Sequence, residues 1–319
     1  MSYPTLRLHP RKEESVLRFH PWIFSGAIAS FSAPVEDGDL VSVVDSKGRP
    51  LGTGHFGGGS IAVRLLSFDA EEVIDRAFYK RRLEAALRLR LSCDLVRPVG
   101  SSDSPNTTYR LVHGEGDSLP GLIIDIYDRT AVVQAHSLGM HQARQTIAEV
   151  LWEVFAEAGD PVLPLEGIYY KSETTLPTRD MRELASDGFL IGHTEAAPIY
   201  ENGVRFTPDW LKGQKTGFFI DQRDNRALVA HYAKGRTVLN AFCYTGGFSI
   251  YALHAGAKRV DSLDSSAKAM YLTEQHVALN FGTDCPRHHS VTEDAFDYLE
   301  RMPEGEYDLI ILDPPAFAK

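Results

Sequence analysis

The segment Val238-Leu-Asn-Ala-Phe-Cys-Tyr-Thr-Gly-Gly-Phe248 carries the strongest chemical signal in the chain. An apolar run enters Gly246-Gly247 and a helical pattern leaves it. Glycines at such a turn let a ligand approach the backbone, and the start of the helix presents free N–H groups. Asp264 closes the next apolar run, 18 residues after Gly246. A carboxylate at that place accepts hydrogen bonds from ribose hydroxyls. Asp294 closes a third run, where it can reach an adenine edge. A fourth run ends in Asp313-Pro314-Pro315-Ala316-Phe317. The two prolines fix an extended exit and donate no hydrogen bonds. Asp313 then points outward, and Phe317 can stack on a flat base. Singly, these features occur in any α/β domain. In register on successive strands they describe a site for an adenosine-containing cofactor.

Other nucleotide and catalytic patterns are poorer fits. The turn lacks the G-x-G-x-x-G spacing of a dinucleotide site. Lys212-Gly213-Gln214-Lys215-Thr216 has Gln214 where a P-loop has glycine, and no strand precedes it. No G-x-S-x-G, H-E-x-x-H or EF-hand pattern occurs. The three cysteines, Cys93, Cys243 and Cys285, are too few and too far apart for a zinc ribbon or a disulfide framework, and no metal is expected.

The elements that must carry these residues alternate. Helices are predicted over 222–233, 247–255, 266–280 and 294–301, and strands over 237–242, 259–264, 288–293 and 307–313. Alternation at this length implies a parallel, doubly wound sheet. Upstream, residues 109–195 read as α+β, with strands over 122–127, 130–135 and 167–171 and an amphipathic helix over 142–158. Residues 71–91 contain neither Pro nor Gly and space Phe78, Leu83, Leu87 and Leu91 as a helix does. Residues 1–68 read as short strands over 39–45, 51–56 and 61–66, a small barrel with His20-Pro-Trp-Ile-Phe24 packing aromatic bulk on it. Three domains follow: 1–68, 69–195 and 196–319.

Composition narrows the class. Of 319 residues, 43% are hydrophobic and 24% charged, ordinary globular values that exclude a disordered chain. The N-terminus has no secretory apolar segment and no run is long enough to span a membrane, so a soluble, reduced, cytoplasmic protein is expected. Net charge is −10, which argues against indiscriminate nucleic-acid binding. The charge is uneven: +1 over residues 1–68, −8 over 69–195 and −3 over 196–319. A nucleic-acid surface is therefore best sought near Arg7, Arg11, Lys12 and Arg18, although Glu13 and Glu14 make a merely solvated face the simpler reading of that stretch.

The segments Asn240–Phe248, Asp264, Asp294 and Asp313-Pro-Pro-x-Phe317 resemble the motifs of class I S-adenosylmethionine-dependent methyltransferases. Gly213-Gln-Lys-Thr-Gly-Phe-Phe-Ile-Asp-Gln-Arg-Asp-Asn-Arg226 and Asp313-Pro-Pro-Ala-Phe-Ala-Lys319 resemble the ribosomal RNA large subunit methyltransferase I family more specifically. Leu6–Ile28 looks like the start of a PUA domain, and Arg110–Leu122 resembles the family's central-domain signature. The resemblance implies a PUA-like β-barrel, a central α+β domain and a Rossmann-like methyltransferase domain, with S-adenosyl-L-methionine as cofactor and large-subunit rRNA as partner. It implies methylation of cytosine at carbon 5. It places Tyr244, Gly246 and neighbouring backbone around the methionine part of the cofactor, with Asn240, Phe242 and Thr245 also among the cofactor-binding residues. Asp264 falls on the ribose, Asp294 on the adenine, and Gln222 and Arg223 nearby. Asp313, Pro314 and Phe317 face the cytosine, and Arg11 and Lys12 face RNA.

Four strands are predicted where the resemblance implies seven, so strand 307–313 is expected to be an uncovered apolar edge, as in a fragment. Carbon 5 of cytosine is a poor nucleophile until a thiolate adds at carbon 6. By the resemblance that cysteine lies beyond Lys319, and Cys243 reads as a packing residue. The expectation is a chain that binds cofactor without completing transfer. The alternatives are a catalytically inactive RNA-binding protein and a methyltransferase acting on another nucleobase atom.

Overall fold

The computed structural model describes residues 3–177 and 186–314. Contacts divide the chain into two compact units, Met1–Glu195 with Asp209–Phe218, and Ala196–Pro208 with Phe219–Lys319.

The first unit opens with strands β1 (Thr5–Leu8), β2 (Trp22–Phe24), β3 (Ile28–Phe31), β4 (Leu40–Val44), β5 (Pro50–Phe56) and β6 (Ile61–Ser67), with the single-turn helix α1 (Glu14–Leu17) after β1. They form one sheet in the order β2-β6-β5-β4-β1-β3. Leu6, Leu8, Ile23, Val41, Val43, Leu51, Val63 and Leu65 meet in one core, so the sheet wraps around it. Strands β1 to β3 go beyond the sequence reading. The aromatic bulk expected on the barrel at 20–24 does not pack there. Only Ile23 points into the core, while Phe24 is 51% exposed and Trp22 is half-buried. A β-strand alternates its faces, so three consecutive large residues cannot all point inward.

Helix α2 (Arg76–Ser92) starts five residues later than predicted, because Asp75 caps it by accepting a hydrogen bond from Phe78 N at 2.9 Å. Strands β7 (Thr108–His113), β8 (Leu122–Tyr127), β9 (Thr130–Ala135), β10 (Gly167–Tyr170) and β11 (Gly188–Gly192) form a second sheet in the order β11-β10-β9-β8-β7, with helices α3 (Leu138–Gln142) and α4 (Arg144–Ala158) between β9 and β10. Phe78, Leu83 and Leu87 of α2, Ile147, Leu151 and Phe155 of α4, and the apolar face of this sheet form one core. The half-motif 213–217 is anchored on the same sheet. Thr216 is fully buried; its Oγ1 donates to Asp125 Oδ2 at 2.5 Å and pairs with Tyr127 Oη at 2.8 Å. Lys171 Nζ donates to Gly213 O at 2.7 Å.

The second unit begins with a hairpin absent from the sequence reading, β12 (Ile199–Glu201) and β13 (Val204–Phe206). Its Asn202-Gly203 turn has φ of 49° and 84°, the left-handed pair that a two-residue hairpin requires. Then come α5 (Arg223–Ala233), β14 (Thr237–Ala241), α6 (Gly247–His254), β15 (Arg259–Asp264), α7 (Ala267–Phe281), β16 (His288–Thr292), α8 (Ala295–Arg301) and β17 (Leu309–Leu312). The four long strands are parallel and ordered β16-β15-β14-β17. Strand β17 is the edge among the described residues, and Ile310 and Leu312 are 41% and 57% exposed on it, as the sequence predicts.

Candidate functional site

The parallel register brings the sequence-predicted residues to one edge. Ala241 pairs with Leu263 and with Leu312, and Asp264 pairs with Thr292. Phe242, Asp264 and Asp313 therefore leave the sheet at one level, with Asp294 two residues past the end of β16. Carboxyl ends of parallel strands, where the strand order reverses, are where such sheets bind ligands. Here the reversal lies at β14, between β15 and β17.

The turn after β14 is tightly wound. Phe242, Tyr244 and Gly246 have φ of 57°, 49° and 75°. Left-handed Phe and Tyr cost roughly 1–3 kcal/mol each and persist only where surroundings impose them. Three contacts impose them here. Cys243 N donates to Leu263 O at 3.0 Å, Tyr244 N to Asp264 Oδ2 at 2.9 Å, and Thr273 Oγ1 to Tyr244 O at 3.0 Å. Gly246 admits no side chain, since a Cβ there would lie 2.5 Å from Thr273 Cγ2. His276 is buried and its Nδ1 is 2.9 Å from Thr245 O. Thr207 N–H donates to His276 Nε2 at 3.1 Å, so Nδ1 carries the proton. Burial holds this imidazole's pKa below its ordinary value. No side chain caps α6, which leaves its first N–H groups facing the edge.

The carboxylates are part of the scaffold. Asp264 Oδ1 accepts Ser266 N at 2.9 Å while Oδ2 holds Tyr244 N, so each oxygen keeps a lone pair for a ribose hydroxyl. Asp294 caps α8, its Oδ1 accepting Phe296 N at 2.8 Å. Phe296, missed by sequence reading, is 47% exposed and meets Phe242 edge-on, with ring centroids 5.9 Å apart. Asn240 is buried within the sheet. Its Nδ2 donates to Ser249 Oγ at 2.9 Å, continuing through Ser262 Oγ to His288 Nε2, and its buried Oδ1 has no hydrogen-bond partner.

Gln222 and Arg223 reach the turn indirectly. Phe219, just before them, meets Tyr244 edge-on at 5.4 Å. Arg226 Nη2 donates to Phe219 O at 3.0 Å and, with Nε, grips Glu201 bidentately at 2.7 and 2.8 Å. Both side chains of this ion pair are buried. Arg226 also packs on Gly247, where a Cβ would lie 3.1 Å from its Cδ. The hidden partner is Glu201: 25 residues and a hairpin separate it from Arg226, and the available signal was Asn202-Gly203. Gln222 Oε1 accepts Asn225 Nδ2 and Arg223 pairs with Asp224. Arg11 and Lys12 are exposed in a turn of the first unit. Asp313 and Pro314 are exposed at the end of β17; Phe317 lies outside the described residues.

Residues 6–68 match the PUA-like domain, and residues 178–319 match the S-adenosylmethionine-dependent methyltransferase domain. The ribosomal RNA large subunit methyltransferase I of Alteromonas mediterranea is 39% identical over 316 residues, covering 97% of this chain and 75% of that protein. That of Shewanella denitrificans is 40% identical over 320 residues, covering 98% and 76%. The chain belongs to the ribosomal RNA large subunit methyltransferase I family. A SAM-dependent methyltransferase structure from Streptococcus mutans is 25% identical with a TM-score of 0.78 over 99% of this chain and 77% of that one. A methyltransferase structure complexed with S-adenosylhomocysteine, SMU.776, gives 25% and 0.80 over 100% and 77%.

As in the family, the cofactor is S-adenosylmethionine, and the edge fits it. The lone pairs of Asp264 and the Phe242–Phe296 pair beside Asp294 offer acceptors and an apolar wall. The described residues contain no group of three or more His, Cys, Asp or Glu able to hold a metal, and no helix long and apolar enough to cross a membrane.

Proposed function

We propose that this chain serves methyl transfer to carbon 5 of a cytosine in large-subunit ribosomal RNA, in the cytoplasm. The observation that carries the reading is the single edge on which the strained turn 242–247, Asp264, Asp294 and Asp313 converge. The relatives' name and the PUA-like match support an rRNA substrate, and the family resemblance supports carbon 5. S-adenosylmethionine supplies an electrophilic methyl group. On this reading Asp264 holds the ribose, Asp294 with Phe242 and Phe296 holds the adenine, and the turn 244–246 holds the methionine part. Gln222 and Arg223 close the near side. Asp313, level with Phe242 on the neighbouring strand, accepts a hydrogen bond from the cytosine amino group, which donates to carboxylates. Pro314 and Phe317 flank the base, and Arg11 and Lys12 contact the RNA backbone.

Carbon-5 chemistry requires a thiolate, and Cys243 is unsuited to supply one. It is 5% exposed, and burial pushes its pKa up to about 12, helped by the charge of Asp264. Cys93 caps α2 in the first unit, and Cys285 sits in the loop before β16, at the other end of the sheet from the edge. The reading assigns the nucleophile to residues other than these three.

The test is transfer of a labelled methyl group from S-adenosylmethionine to large-subunit rRNA, followed by nucleoside analysis. Label in 5-methylcytidine upholds the proposal. Label in any other nucleoside overturns the carbon-5 assignment. Absence of label with intact S-adenosylhomocysteine binding favours a role in binding alone.

A further inference from the structure

Arg64 lies in the middle of β6, with Trp22 of β2 and His55 of β5 as its cross-strand partners. Cross-strand partners share a sheet face, and here that face looks toward the central sheet of the same unit. Trp22 Nε1 donates to Glu115 Oε1 at 2.7 Å. His55 lies flat against Gly139, where a Cβ would collide with the ring. The Arg64 side chain crosses Gly121, its Cδ 3.7 Å from the place of a Cβ. Arg64 is half-buried, yet among the described residues its guanidinium has neither a hydrogen-bond nor an ion-pair partner. The carboxylate that acts on it through space, Glu115, is already engaged by the indole.

The Arg64 side chain is half-covered while its guanidinium nitrogens still reach solvent, so an anion from outside can take the place that a carboxylate would fill. The surroundings favour an anion from outside. The exposed His136 follows directly on β9 and lies within the electrostatic reach of Arg64, Arg110 and Glu115. Arg110 is held bidentately by Asp125 at 2.8 and 2.9 Å, and its Nη1 lies 3.4 Å from Nδ1 of the exposed His113. On β2, Phe24 is 51% exposed two residues after Trp22, and His20 meets Trp22 edge-on. A cation with a fork of donors, imidazoles around it and an exposed aromatic ring match a single strand of RNA, whose phosphodiester takes the fork and whose base takes the ring.

We propose that Arg64 and His136, at the seam between the barrel and the central sheet, form a phosphodiester site for the RNA substrate. This rests on the rRNA reading above and adds a place for the backbone distinct from Arg11 and Lys12. It also gives the Arg110–Leu122 signature a role. That segment carries Glu115, which orients Trp22 and tempers the positive charge, and Gly121, over which Arg64 lies.

The experiment is equilibrium binding of the whole 319-residue chain to a large-subunit rRNA transcript across a salt series, with S-adenosylhomocysteine binding measured in parallel. Arg64→Gln is expected to weaken RNA binding about tenfold and to reduce the slope of log affinity against log salt by about one, as loss of one phosphate contact does. Glu115→Gln keeps an acceptor for the indole and removes the opposing charge, so it is expected to tighten RNA binding about two- to threefold by the same electrostatics. S-adenosylhomocysteine affinity stays unchanged in both. Wild-type affinity and slope in Arg64→Gln, or weaker RNA binding in Glu115→Gln, overturns the site while leaving the rRNA reading intact. A wild-type chain that binds S-adenosylhomocysteine but no rRNA overturns that reading and the site together.

Discussion

Both carboxylate oxygens of Asp264 already accept a backbone N–H, from Ser266 and Tyr244. The residue thus holds the turn in shape and still has lone pairs for a ligand. Asp264→Asn is expected to weaken S-adenosylhomocysteine binding by about 10- to 100-fold, the worth of a hydrogen bond to a charged acceptor; titration calorimetry reads this, and an unchanged affinity removes Asp264 from the site. Phe296 separates binding from folding, because its ring is 47% exposed. Phe296→Ala is expected to cost under about 1 kcal/mol of stability yet to weaken the same ligand several-fold, since an aromatic face against a base is worth about 1–3 kcal/mol. Cysteine chemistry gives a third check. Cys93 is exposed, Cys285 intermediate and Cys243 buried with its thiol held protonated. Brief alkylation of the native protein, followed by mass spectrometry, is expected to label Cys93 first and Cys243 last; early labelling of Cys243 would contradict its packing role.

At the scale of elements, the Glu201–Arg226 pair ties hairpin β12–β13 to α5, to Phe219 and to the start of α6. Removing one partner leaves a buried charge unmatched, which costs about 3–5 kcal/mol. Glu201→Gln is accordingly expected to lower the urea midpoint of the second unit and to weaken S-adenosylhomocysteine binding, whereas Glu304→Gln, an exposed change, should move neither. The motif 213–226 is shared between the two units: residues up to Phe218 belong to the first and those from Phe219 to the second. Its two halves are held by different means. Thr216 is fixed in the buried Asp125–Tyr127 network, and Arg226 in the buried ion pair.

For the molecule as a whole, the covered imidazoles of His55, His276 and the half-buried His288 make stability depend on pH. Burial depresses His55 and His288 from 6.5 to about 4, with Arg64 and His289 respectively adding to it, and lowers His276 as well. The unfolded chain takes up these protons near pH 6.5 while the folded chain resists until about pH 4. Stability is therefore fully present above 6.5, falls as pH drops through that interval, and levels off with respect to these groups below about 4. Thermal melts between pH 7.5 and 4.5, spanning roughly this window, should show the decline, and His288→Gln should flatten it. A melting temperature constant across the window would show that these imidazoles are already solvated.

Local pattern was enough for the alternation of strands and helices from 222 to 313, for the glycine turn at 246 and for the acidic strand ends. Each depends on residues adjacent in sequence: an apolar run long enough for one strand, a glycine where φ must be positive, a carboxylate where a helix begins. Resemblance added the family and its cofactor. Tertiary structure decided what depends on distant partners. Glu201 meets Arg226 only after a hairpin folds back, Phe296 meets Phe242 only because β16 and β14 both flank β15, and the N-terminal aromatics face outward because a strand, once formed, can bury only every second side chain. Arg64 shows the same limit. Nothing in its neighbours along the chain marks it, and its place beside Glu115, Trp22 and Gly121 exists only because the two sheets of the first unit meet there.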